Sequence, residues 1–152
     1  MPTKPISELI PVLQMAVGPV ILISGVGLLL LTLTNRFGRT LDRARALSKE
    51  LRAMPDVDRA RVAGQIAMLY LRARLIRASI TLAVFGALLA SALIIALFCT
   101  ALLQLELGLF ISLLFVGCMA SVAASLVAFL WDMHLALRAL KLELGRGKGG
   151  AG

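Results

Sequence analysis

The residues able to carry out chemistry are few and widely separated. His134 is the only histidine, and the two cysteines, Cys99 and Cys118, fall inside apolar segments. A metal site needs several convergent nitrogen, sulfur or oxygen ligands, and this spacing offers none. The sequence also lacks a nucleophile motif, a glycine-rich phosphate loop and a carboxylate within an apolar segment. We therefore expect no metal, no cofactor and no enzymatic activity.

Asp132 and His134 form the first candidate group, at the end of the last long apolar segment. One interpretation is a proton relay at the membrane boundary. The favoured interpretation is that the two residues mark the polar end of a membrane span, with Trp131 in the interfacial aromatic belt. The cysteines are then small core residues.

Arg36, Arg39 and Arg43 form the second group, on one helical face after the first apolar segment. Asp42 is spaced to pair with Arg39 or Arg45. Three roles compete for these arginines: contact with anionic lipid headgroups, an anion-attracting vestibule, or a docking surface for a partner. Nucleic acid is not expected as a partner, because membrane topology accounts for the net charge of +8.

Glu106 is the only acid between the second and third apolar segments. If several copies of the chain surrounded an axis, these glutamates would form a ring attracting cations to a pore mouth. The alternative is a solvated turn residue.

The elements positioning these residues are membrane helices. With 60% hydrophobic residues, 16% charged residues and a mean hydropathy of +0.95, the composition excludes a soluble domain. Residues 12–34, 78–103 and 109–131 hold no Lys, Arg, Asp or Glu, and each exceeds the roughly 20 residues needed to cross a bilayer. We predict an all-α protein with three spans in a single membrane domain covering residues 1–152.

The distribution of cations predicts the orientation, since Lys and Arg collect on the cytoplasmic side. Residues 35–77 hold eleven Lys and Arg, and four more follow the third span, against Lys4 alone on the opposite side. The N-terminal segment 1–11 and the turn 104–108 are therefore predicted outside, and the C-terminus inside. In a bacterium this places the protein in the inner membrane.

Gly18 and Pro19 interrupt the first span, because proline removes a backbone donor and disfavours helix before it. A break or kink is expected there. Residues 6–17 then form either an interfacial helix or the beginning of the span, and the two versions stay open.

The basic block 35–77 carries two apolar stripes that alternate steps of four and three, the spacing of packed helices. A proline-containing turn at 54–58 separates them. We predict that the first two spans extend into the cytoplasm as an antiparallel helical hairpin. The first stripe is Phe37, Leu41, Ala44, Ser48 and Leu51, and the second is Val62, Ile66, Leu69, Ala73 and Ile76.

After the third span, residues 132–144 repeat this pattern and predict an amphipathic helix. It packs on the hairpin or lies on the membrane surface. The glycine-rich residues 145–152 predict a flexible tail.

Small residues indicate close helix packing inside the bilayer, where contact depends on backbone approach. Gly117, Ser121 and Ser125 recur at four-residue steps on the third span. The three spans hold more such surface than one bundle needs, which favours a homo-oligomer.

Residues 13–45 resemble bacterial domain-of-unknown-function family 2721. The resemblance rests on a glutamine and a proline at the first span, Gln14 and Pro19, followed by an LTNR segment at 33–36 and a DRxR segment at 42–45. It implies a small bacterial membrane protein and assigns no activity. The signature also includes Thr34, Asn35, Arg36, Arg39, Asp42, Arg43 and Arg45.

Two functions remain open. In the first, a homo-oligomeric ion channel is lined by the first span, with Ser24, Thr32, Thr34 and Asn35 in the pore and Arg36, Arg39 and Arg43 at its inner vestibule. In the second, a membrane scaffold or regulator docks a protein partner or anionic lipid through the basic hairpin.

Overall fold

In the computed structural model of the chain, residues 6–53, 56–103 and 107–148 are described, and they form three α-helices without a strand. Helix α1 is Ile6–Ala53, α2 is Asp56–Leu103 and α3 is Gly108–Lys148. The backbone N–H of Ile111 donates to the carbonyl of Leu107 at 3.0 Å, which closes the first turn of α3. The predicted all-α class is confirmed.

All three helices contain segments long and apolar enough to cross a membrane: Leu13–Arg52, Val62–Leu103 and Gly108–Leu137. The three helices contain the predicted spans 12–34, 78–103 and 109–131. Helices α1 and α2 have 48 residues each, whereas about 20 suffice for a bilayer. The chain is a multi-pass membrane protein by length and composition, and its first two helices continue well past their apolar runs.

The expected break at Gly18 and Pro19 does not occur. Helix α1 is continuous from Ile6 and includes both Pro11 and Pro19. A proline removes one hydrogen bond from the ladder, and long membrane helices tolerate such a loss through local adjustment. Residues 6–17 belong to the same helix as the span.

Helix α3 also differs from the expected boundaries. It is continuous across residue 132 and ends at Lys148, so residues 145–148 are helical where a flexible tail was predicted. Extension of the preceding helix outweighs the low helix propensity of two glycines. Glu106, the turn residues 54–55 and the last four residues, 149–152, lie outside the described residues.

The chain divides into two compact units. The first consists of the described residues within Met1–Leu31 and Thr81–Ala124, and the second of those within Thr32–Ile80 and Ser125–Gly152. Alanine and cysteine dominate the core of the first unit, which buries Ala83, Ala90, Ala96 and Cys118. The second unit buries apolar side chains such as Leu33 and Ile76 together with several polar ones.

Both stripes of the predicted hairpin lie in the second unit, and none of their ten side chains is exposed. Val62, Leu69 and Ile76 are buried, and the other seven are half-buried. The four-three spacing therefore identifies the inward face of both segments. The individual cross-helix pairs stay predictions.

Candidate functional site

Asp132 is the centre of a charged cluster in the second unit. Its carboxylate is fully buried and lies immediately after the apolar run of α3. A carboxylate that is buried away from water needs a hydrogen-bond donor for each of its two oxygens. Here each oxygen has one, and each partner comes from a different helix.

Arg36 of α1 and Arg72 of α2 provide these partners. The Nη2 group of Arg36 donates to Oδ2 of Asp132 at 2.8 Å, and Nε of Arg72 donates to Oδ1 at 3.2 Å. The arginine side chains are 23% and 20% exposed. We call these three residues the Asp132 clasp. It joins α1, α2 and α3 through charge-assisted hydrogen bonds.

The clasp has two cations and one anion, so it carries excess positive charge. One face of Arg36 is covered by Phe129, whose ring centroid lies 5.2 Å from the guanidinium carbon. This cation–π contact stabilises the arginine and leaves the edges of its guanidinium for hydrogen bonds. Thr40 is buried beside the cluster and donates to the backbone carbonyl of Arg36 at 2.9 Å.

Two serines form a neutral contact in the same unit. The hydroxyl of Ser79 donates to the carbonyl of Ser125 at 2.7 Å, and that of Ser125 donates to the carbonyl of Ser79 at 2.8 Å. Both side chains are fully buried. The reciprocal bonds hold the backbones of α2 and α3 close together.

The first unit joins α2 and α3 differently, through small residues. The thiol of Cys118 lies 3.2 Å from the carbonyl of Gly86, and the hydroxyl of Ser121 donates to the carbonyl of Leu82 at 2.8 Å. A Cβ on Gly86 would lie 2.8 Å from Cγ2 of Val122. A larger residue at this position would require the side chain of Val122 or the helix that carries it to shift.

An apolar cavity of about 220 Å³ also lies in the first unit. Its lining includes Pro19 of α1, Ala90 of α2 and Phe115 of α3. The side chains that line it are apolar or weakly polar.

The proposed pore and vestibule residues fall into two groups. Arg36 is partly buried and bound to Asp132, and its role at an inner vestibule stays a prediction. The rest are exposed on the chain: Ser24, Thr32, Thr34, Asn35, Arg39 and Arg43.

Several of these exposed polar groups bond to their own helix. The hydroxyl of Ser24 donates to the carbonyl of Val20 at 3.2 Å, and Nε of Arg39 lies 3.4 Å from the carbonyl of Asn35. Asp42 lies 3.8 Å from Arg45, and both side chains are about three-quarters exposed. Such a surface pair contributes little to stability.

The other candidates are placed as follows. His134 is exposed, whereas Asp132 is buried, and the hydrogen bonds that the described residues make to its carboxylate come from Arg36 and Arg72. Ser121 and Ser125 are buried and Gly117 is half-buried, on the α3 face toward α2. Among the described residues, no three His, Cys, Asp or Glu side chains are grouped to hold a metal.

Sequence reasoning missed the clasp and the role of Arg72. A usable signal was present, because Arg36 and Asp132 are the first charges after the apolar runs of α1 and α3. If both runs cross the same bilayer and end on the same side, these charges lie at one depth. An acid and a base at one depth are natural partners.

These features define a class: a small, all-α, multi-pass membrane protein with a charged cluster shared by three helices. The model of the family described as "Protein of unknown function (DUF2721)" matches residues 16–142. The chain belongs to this family, which confirms the resemblance found in residues 13–45. The curated proteins gave no match. The solved structures gave none either.

Proposed function

We propose that this protein is a non-enzymatic, homo-oligomeric ion channel whose pore is lined by α1. The observation that carries the proposal is an exposed polar stripe on α1 in the second unit: Thr32, Asn35, Arg39 and Arg43. Their spacing of three, four and four residues keeps them on one side of a helix. We call this set the outward stripe.

The clasp supports this assignment because it separates one partly buried arginine from two exposed ones. Arg36 is bound to Asp132, while Arg39 and Arg43 are exposed. Thr32 lies inside the apolar segment 12–34, and Arg39 and Arg43 continue the same stripe beyond it. If the stripes of several copies faced one another around a water-filled axis, two arginines per copy would line the inner mouth and favour anions.

Small residues in the first unit support assembly through the same helix. Gly18 and Gly25 of α1 lie seven residues apart, on one side of the helix, and neither has a neighbouring atom within 4 Å of an added Cβ. By contrast, Gly86 and Gly117 already pack within the chain. The α1 glycines therefore leave a surface on which a second copy could approach closely.

Cysteine crosslinking tests the assembly. In a background with Cys99→Ser and Cys118→Ala, Asn35→Cys on the outward stripe should crosslink copies into dimers and higher species. Thr40→Cys is the matched control, because Thr40 lies five residues away and is only 7% exposed. A monomeric protein in nanodiscs, or equal crosslinking at both sites, would contradict the assignment.

Flux measurements test conduction. Purified protein in liposomes should pass chloride in preference to potassium, and Arg39→Glu should lower that preference at least about tenfold. Arg74→Glu makes the same charge change at an exposed position of α2 and should leave selectivity unchanged. An assembled protein without flux above empty liposomes would favour the scaffold function.

We further propose a bacterial inner-membrane location with the N-terminus outside. The support is the charge distribution, eleven cations in residues 35–77. In intact cells, a membrane-impermeant maleimide should not label Arg74→Cys in the cysteine-free background, and permeabilisation should expose it. Labelling of intact cells would reverse the orientation.

A further inference from the structure

The clasp has unused binding capacity. Within the described residues, the side-chain hydrogen bonds of Arg36 and Arg72 go to Asp132 alone. A guanidinium group carries several N–H donors in a rigid fork. Arg72 uses only Nε, which leaves both terminal amino groups available, and Arg36 uses only Nη2.

The charge of the cluster is also unbalanced. Two guanidinium cations share one carboxylate, although charges with little exposure are normally paired. The arginines are 23% and 20% exposed, so an anion can reach them while most of their surface is shielded from water. Reduced solvent screening strengthens their attraction for a second anion.

The position of the clasp along the helices indicates which kind of anion lies close to it. Arg36 lies two residues after the apolar segment 12–34, and Asp132 directly follows the segment 109–131. Trp131 is 66% exposed, as expected for an aromatic side chain in the interfacial layer. This layer contains the phosphate groups of lipids.

We propose that Arg36 and Arg72, oriented by Asp132, bind the phosphate group of an anionic phospholipid headgroup. The two forks donate to the phosphate oxygens, and the lipid supplies the negative charge that the clasp lacks. Asp132 acts as a positioning residue, since it holds both arginines without contacting the lipid. The site lies within one chain and requires neither assembly nor conduction.

Thermal unfolding tests the site, with the fluorescence of Trp131, the only tryptophan, as the signal. The full chain in a non-ionic detergent is titrated with short-chain phosphatidylglycerol, with phosphatidylcholine of the same chain length, or with inorganic phosphate at constant ionic strength. Phosphatidylglycerol should raise Tm saturably and more than either alternative. An equal effect of inorganic phosphate would overturn the lipid assignment, and an equal effect of phosphatidylcholine would overturn the preference for an anionic headgroup.

The variant Arg72→Lys identifies the residue responsible. Lysine keeps the positive charge but loses the fork, so the apparent affinity for phosphatidylglycerol should fall at least about fivefold. Arg74→Lys, an exposed position on the same helix, is the matched control and should bind like the unmodified protein. Equal affinities in the two variants would overturn the proposal.

Discussion

The two units hold the same helices together by different means. In the first unit, α2 and α3 meet through Gly86, Cys118 and Ser121, with neutral contacts between side chains and carbonyls. In the second, the Asp132 clasp joins all three helices by charge. Lipid provides no hydrophobic drive for helix association, so apolar spans depend on close approach. Where the apolar runs end, charge-assisted bonds become available.

Substitutions should destabilise the protein most in the charged region. Asp132→Asn should lower the free energy of unfolding by about 3 kcal/mol, because two partly buried arginines lose their counter-ion. Unfolding by SDS in mixed micelles measures the loss. Asp42→Asn is the control, since Asp42 is 76% exposed in its pair with Arg45. Equal losses in the two variants would show that burial of Asp132 has no energetic consequence.

Close packing in the first unit should give the next largest effect. Gly86→Ala places a methyl group 2.8 Å from Val122, a β-branched residue with little rotational freedom. We expect a loss of about 1–2 kcal/mol from overpacking. Thermal unfolding should show that Gly86→Ala combined with Val122→Ala recovers part of it.

Gly64→Ala is the matched control, because an added Cβ on Gly64 meets no atom within 4 Å. This substitution should leave stability unchanged or raise it by up to about 1 kcal/mol. If Gly86→Ala behaved in the same way, close approach of α2 and α3 would not stabilise the first unit.

The neutral contact of the second unit should have a smaller effect than its charged one. Ser79→Ala and Ser125→Ala should each cost about 1 kcal/mol, with a coupling of about 0.5–1 kcal/mol in a double-mutant cycle. Ser91→Ala, whose hydroxyl bonds to the carbonyl of Ala87 in its own helix, should change stability less. A coupling near zero would remove the serine pair as a link between helices.

The sequence predicts much of this architecture because its signals are local. Apolar run length gives three spans, and the four-three spacing of residues such as Leu69 and Ile76 identifies the inward face of the basic segments. The break predicted at Pro19 is wrong because the proline rule describes one position, whereas the long helix continues through it. Residues 145–148 were predicted to belong to a flexible tail because of their glycines, but α3 continues through them to Lys148.

The clasp was not predicted because it depends on contacts distant in sequence. Arg36 and Asp132 are 96 residues apart, and Arg72 and Asp132 are 60 apart. Periodicity gives the face of a helix but not the partner of a charge. Arg72 lies three residues after Leu69 and four before Ile76, on the inward side of the second stripe, whereas Arg74 is exposed. The spacing therefore separates the two arginines, but it does not identify Asp132 as the partner of Arg72.

Asp132 binds α1 and α2 to α3 through two arginines, and a double-mutant cycle tests this link directly. The free energy of unfolding is measured for Asp132→Asn, Arg72→Gln and the double variant in mixed micelles. We predict that the double variant loses less than the two single losses added together, by about 2 kcal/mol. Losses that add to within about 0.5 kcal/mol would contradict the claim, since they would show that the two residues stabilise the protein independently.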